Sequence, residues 1–75
     1  MQNTVNERIR LIYKSLNITL KSFSNTIGIS EGTLKSMFNR GTNPGFEILE
    51  KIANAYPDIS MDWLVTGNGE MLKDK

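Results

Sequence analysis

The chain has no cysteine and no histidine among its 75 residues. Without cysteine, no disulfide can staple a small core and no thiolate can serve as nucleophile. Without histidine as well, histidine-dependent triads and the usual zinc ligand sets are closed to it. Aromatic residues are few, with three phenylalanines, two tyrosines and one tryptophan, and proline occurs only as Pro44 and Pro57. No apolar run approaches the length of about eighteen residues that a membrane span needs. The polar start "MQNTVNER" lacks the apolar segment of a secretion signal. These absences predict a soluble, cytoplasmic protein stabilised by packing alone. Carboxylate chemistry survives the exclusions, but Glu47 and Glu50 are more simply a negative first turn suited to a helix dipole. The "GNG" at 67–69 follows a helix rather than a strand and makes a poor phosphate loop. The expectation is a protein that is not an enzyme and uses no metal or cofactor.

What is present suffices for one small domain, with 39% hydrophobic and 23% charged residues. A single domain over 1–75 is expected, with 68–75 serving as a dimerisation tail or as the start of a linker. Net charge is only +1, but it is unevenly placed. Residues 1–42 carry Arg8, Arg10, Lys14, Lys21, Lys35 and Arg40 against Glu7 and Glu31, a balance of +4. Residues 43–75 carry Lys51, Lys73 and Lys75 against Glu47, Glu50, Asp58, Asp62, Glu70 and Asp74, a balance of −3. A polyanion would be drawn to one half and repelled by the other, which orients a small protein on DNA.

Apolar spacing predicts five short helices and no strand. Val5, Ile9, Ile12, Tyr13 and Leu16 form one face of a helix over about 5–16, with Arg8, Arg10 and Lys14 turned outward. Thr19 caps a second helix, "LKSFSNTI", whose Leu20, Phe23, Ser24 and Ile27 share a side and which Gly28 ends. Ser30 caps a third helix over about 31–40, in the stretch "IGISEGTLKSMFNRG". It buries Leu34 and Met37 and turns Gly32, Lys35, Ser36 and Asn39 the other way. A fourth helix repeats Phe46, Leu49, Ile52, Ala53 and Tyr56 up to Pro57, and Ser60 caps a fifth, "MDWLVT", closed by Gly67. Phe23, Phe46, Tyr56 and Trp63 are expected in the core. Leu64, Met71 and Leu72 form an apolar C-terminal cluster that serves either as a homodimer interface, the favoured reading, or simply as a cover for the core.

Two short helices joined by a glycine-containing turn, the second with a bare polar face, follow the helix-turn-helix plan. Ser24, Gly28 and Leu34 have its spacing: small residue, turn glycine and core plug. The run "LNITLKSFSNTIGISEGTLKSMFNRGTNPGFEILEKIANAYPDISMDWLVTGNGEM" resembles the Xre family of helix-turn-helix domains, the fold of the lambda-type phage repressors and Cro. The shared features are Ile18–Thr19 before the second helix, the turn Gly28–Ile29–Ser30 and the Arg40–Gly41 pair. Pro44, the run Leu49, Ile52, Ala53 and the closing Trp63, Leu64, Thr66, Gly67 complete them. Leu20 stands where the family usually places a glutamine that reaches phosphate, Ser24 where it places alanine, and the stretch from Phe38 to Gly41 is one residue longer than its commonest form.

The resemblance implies an all-α, lambda-repressor-like domain that binds double-stranded DNA with its third helix in the major groove, as a transcriptional regulator of the repressor kind. Positions matching the family's base-reading sites are Glu31, Gly32, Thr33, Lys35 and Ser36. Phosphate contacts are expected from Thr19, Lys21, Asn39, Arg40, Thr42 and Asn43, which flank that helix. An antitoxin-like or anti-repressor interaction module on the same fold is the alternative. Glu31 and Leu20 favour it, and the positive N-terminal half weighs against it.

Overall fold

A computed structural model describes residues 4–73. The chain termini, including the start of "MQNTVNER" and the charges of Asp74 and Lys75, lie outside the described residues. Five helices follow one another: α1 (Val5–Ser15), α2 (Leu20–Ile27), α3 (Glu31–Arg40), α4 (Phe46–Ala55) and α5 (Met61–Thr66). No helix among the described residues is long and apolar enough to cross a membrane.

The helix boundaries follow from local chemistry. Thr19, Ser30 and Ser60 each accept a bond from the backbone N–H three residues on, as their sequence positions predict. Thr4 does the same for α1 and receives the Glu7 side chain in return, a capping box that the apolar pattern did not reveal. At the C-terminal ends of α2, α3 and α5, Gly28, Gly41 and Gly67 adopt the left-handed conformation. The first helix ends differently: Leu16 is its cap, and Asn17 takes a positive φ of 63°. Asparagine tolerates that conformation better than most side chains.

Ile9, Ile12, Phe23, Ile27, Leu34, Met37, Ile52, Ile59 and Leu64 form one buried cluster. Phe23 is fully buried in it, with its ring 5.4 Å from that of Tyr13 and 5.7 Å from that of Tyr56, on which it stacks. Helix α2 packs against both α3 and α4, and α1 against α5. Tyr56 and Trp63 are half-buried against this cluster, as expected of core aromatics.

Four sequence-based expectations need correction. Arg8 does not point outward: it is only 6% exposed, because the packing of α1 on α5 carries it over the end of α5. There its Nε donates to the Leu64 carbonyl at 2.8 Å and its Nη2 to the Val65 carbonyl at 3.1 Å. A cation at a helix C-terminus also meets the negative end of the dipole. Leu16 leaves the apolar face and is 45% exposed, since the chain turns away at Asn17. Phe46 is 78% exposed, because the first residue of α4 overhangs the edge of the core that begins at Ile48 and Leu49. Leu64 is fully buried in its own chain's core and cannot meet a second copy, whereas Met71 packs against that core and Leu72 stays exposed.

The residues after α5 fold back on those before it. Ser60 N–H donates to the Met71 carbonyl and Lys73 N–H to the Asp58 carbonyl, both at 2.8 Å, around an isolated antiparallel bridge between Ile59 and Leu72. A single bridge leaves no alternating pattern in the sequence, so periodicity could not announce it.

Candidate nucleic-acid interface

The turn between α2 and α3 sets the angle of the polar helix. The Gly28 and Ile29 N–H groups both donate to the Ser24 carbonyl, at 2.9 and 3.1 Å. Ser24 is itself buried, and its hydroxyl donates to the Lys21 carbonyl at 2.7 Å, so serine fills the usual alanine position without leaving a buried donor unmet. The other departure, Leu20, is half-buried against the core and can donate to nothing. Helix α3 is regular through Arg40, and the extra residue before Gly41 produces no bulge.

With Leu34 and Met37 buried, α3 presents Gly32, Thr33, Lys35 and Asn39 to solvent, while Ser36 is half-buried. The expected site residues divide between two sides of this helix. Gly32, Thr33 and Ser36 share an open groove of about 610 Å³ with Arg40, Thr42 and Asn43 from the helix end and the loop before α4. This groove joins three expected base readers to three expected phosphate contacts. A Cβ at Gly32 would meet nothing within 4 Å, so the fold does not itself require glycine there. Thr33 is tied locally, its Oγ1 lying 2.7 Å from the Ser30 hydroxyl.

Lys35 and Asn39 open on the other side, into a second cleft with Arg10, Lys14, Leu20 and Phe38. Glu31 pairs with Lys35 at 3.6 Å, one turn away. An exposed pair of this kind holds only about 0.3–0.5 kcal/mol, so an incoming ligand can open it cheaply. Thr19, the cap of α2, and Lys21 within it are exposed but line neither groove. The Thr19 hydroxyl already accepts the Ser22 N–H at 3.1 Å.

The sequence reading missed Asn6, Arg10, Lys14 and Phe38 as parts of this surface. Asn6 Nδ2 donates to the Thr42 carbonyl at 2.8 Å and so ties the loop before α4 to α1. The guanidinium of Arg10 lies 4.6 Å from the centroid of the Phe38 ring. Arg10 and Lys14 were legible as outward cations one turn apart, but the contacts with Thr42 and Phe38 join α1 to α3 and the loop after it and have no local signal.

A helix-turn-helix family model matches residues 9–64, and the chain belongs to that family, in its Xre and lambda-repressor-like branch of DNA-binding transcription regulators. No curated protein and no solved structure matches it.

Proposed function

We propose that this helix-turn-helix domain binds double-stranded DNA sequence-specifically and acts as a repressor, with α3 lying in the major groove. The observation that carries the proposal is that Gly32, Thr33 and Ser36 of α3 share one open groove with Arg40, Thr42 and Asn43, over a floor that includes Met37 and Ile48. A major groove admits a helix whose outer face is small and polar, and each base pair there offers a distinct pattern of donors and acceptors. In this reading Lys35 donates to guanine, Ser36 and Thr33 donate or accept, the Thr33 methyl meets a thymine methyl, and Glu31 accepts from cytosine. Gly32 lets the helix backbone approach closely. Arg40, Thr42 and Asn43, with Thr19, Lys21 and Asn39, hold phosphates and set the register.

The domain binds as a two-fold dimer, with the exposed Leu72 and neighbouring Met71 at the contact. Two third helices about 34 Å apart then read an imperfect palindrome. Selection from random duplexes followed by footprinting tests the whole reading. The expected result is an enriched palindrome whose affinity falls with salt by about 0.9 decades per decade for each phosphate neutralised. No enrichment and a flat salt response would overturn DNA recognition. Sedimentation as a monomer, both free and on a single protected half-site, would overturn the dimer alone. A reporter placed behind the selected site should fall in output when the protein is present, and a rise would reverse the regulatory sign.

A further inference from the structure

The cleft on the far side of α3 gathers cations from two helices. It has a volume of about 350 Å³, with Arg10, Lys14 and Tyr13 from α1, Leu20 from α2, and Lys35, Phe38 and Asn39 from α3. Its lining contains three cations and no carboxylate. Two acids stand at its rim: Glu7, which accepts the Thr4 N–H at 3.0 Å, shares the adjoining cleft with Arg10 and Lys14, and Glu31 lies against Lys35. Among the described residues Arg10 has no ion pair. Like charges brought together on a folded surface repel one another, and an anion between them removes that repulsion.

The placement of Arg10 is specific. A guanidinium held over a ring face by its cationic charge has several N–H donors, and those directed away from the ring stay available to an anion. That contact also removes rotamer freedom that phosphate binding would otherwise have to remove. Leu20 adds an aliphatic wall with no donor, so an anion in the cleft must be held by the cations around it.

We infer that Arg10 and Lys14 seat a backbone phosphate of bound duplex DNA in the cleft between α1 and α3, with Phe38 as the positioning residue that holds the Arg10 guanidinium ready. The inference rests on the DNA reading above and extends the contact surface from α3 and its flanking loop onto α1.

The test combines salt-dependent binding to a mixed-sequence duplex and to the selected site with ethylation interference. Removal of one phosphate contact costs about eightfold in affinity at 0.1 M salt and about 0.9 in salt slope. Arg10→Gln and Lys14→Gln should each show this loss on both duplexes alike, and Arg10→Gln should become indifferent to ethylation of one phosphate that blocks the wild type. Phe38→Leu, compared at a temperature where both proteins are fully folded, should bind severalfold more weakly, and Phe38→Tyr, which keeps the ring face, should bind like the wild type. Lys73→Gln, remote from the cleft, should change nothing. Wild-type slope and interference pattern in Arg10→Gln would overturn the phosphate seat while leaving DNA binding intact. Equal binding by Phe38→Leu and Phe38→Tyr would remove the positioning role. A wild type that binds no duplex would remove the DNA reading itself.

Discussion

Arg8 and Arg10 lie two residues apart on α1, yet they belong to opposite regions of the molecule. At the junction of α1 and α5, Arg8 is buried and donates to the carbonyls of Leu64 and Val65. Gly67, at φ +85°, closes against it: a Cβ there would lie 3.0 Å from Arg8 Nη1. At the edge of α1 and α3, Arg10 is exposed and its guanidinium lies over the Phe38 ring. One arginine satisfies the backbone inside the domain and the other presents charge at its surface. The difference teaches that the excess of positive charge in residues 1–42 overstates what a polyanion meets, because part of it is spent in holding the fold.

The comparison can be broken outright by removing the platform on which both regions stand. Leu34 is fully buried beneath α3. Leu34→Asp forces an unpaired carboxylate into a core whose whole stability is about 5–15 kcal/mol, so the variant should be unfolded by circular dichroism. A cooperative melt at the wild-type temperature would show that the α3 platform does not depend on this residue.

Arg8→Met sharpens the contrast next. It leaves the Leu64 and Val65 carbonyls without their charged donor, and the expected loss is about 2–3 kcal/mol. In a domain of this size that lowers the melting temperature by more than about 8 °C. Arg10→Gln, by contrast, should stay within about 0.5 kcal/mol of wild type, as an exposed substitution does. Equal melting temperatures for the two variants would erase the distinction between the regions.

Smaller effects divide the surface region within itself. Lys35→Ala should cost about 1–3 kcal/mol on the selected site and relax preference at one or two positions, whereas Lys21→Ala should weaken all duplexes alike. Uniform weakening by both would take base reading away from α3. Gly32→Ala has a small expected effect on stability, of the opposite sign. With open space at its Cβ position, alanine should stabilise α3 by up to about 1 kcal/mol. It should nevertheless weaken binding to the selected site if the helix backbone approaches DNA there. A Gly32→Ala variant that is more stable and binds equally well would reduce that glycine to mere tolerance.

The amino-acid sequence by itself determined the five helices and most of their ends. Caps and left-handed glycines act within four residues of themselves, so Thr19, Ser30, Ser60, Gly28, Gly41 and Gly67 could be placed without a fold. Periodicity likewise assigned Leu34 and Met37 to the core and left the polar face of α3 outside. Only the tertiary structure decided which side of each helix end meets a neighbour. Leu16 and Phe46 continue their apolar stripes in sequence but stand at or beyond the ends of their helices, where the stripe runs past the core. Arg8 carries the same outward-looking signal as Arg10, and the arrival of α5 over one of them separates their fates. The grooves on either side of α3 are likewise products of packing, since each takes residues from segments that only the folded chain brings together. Local pattern encodes what a helix offers, and the contact partner, set by long-range packing, determines where each offered side chain is used.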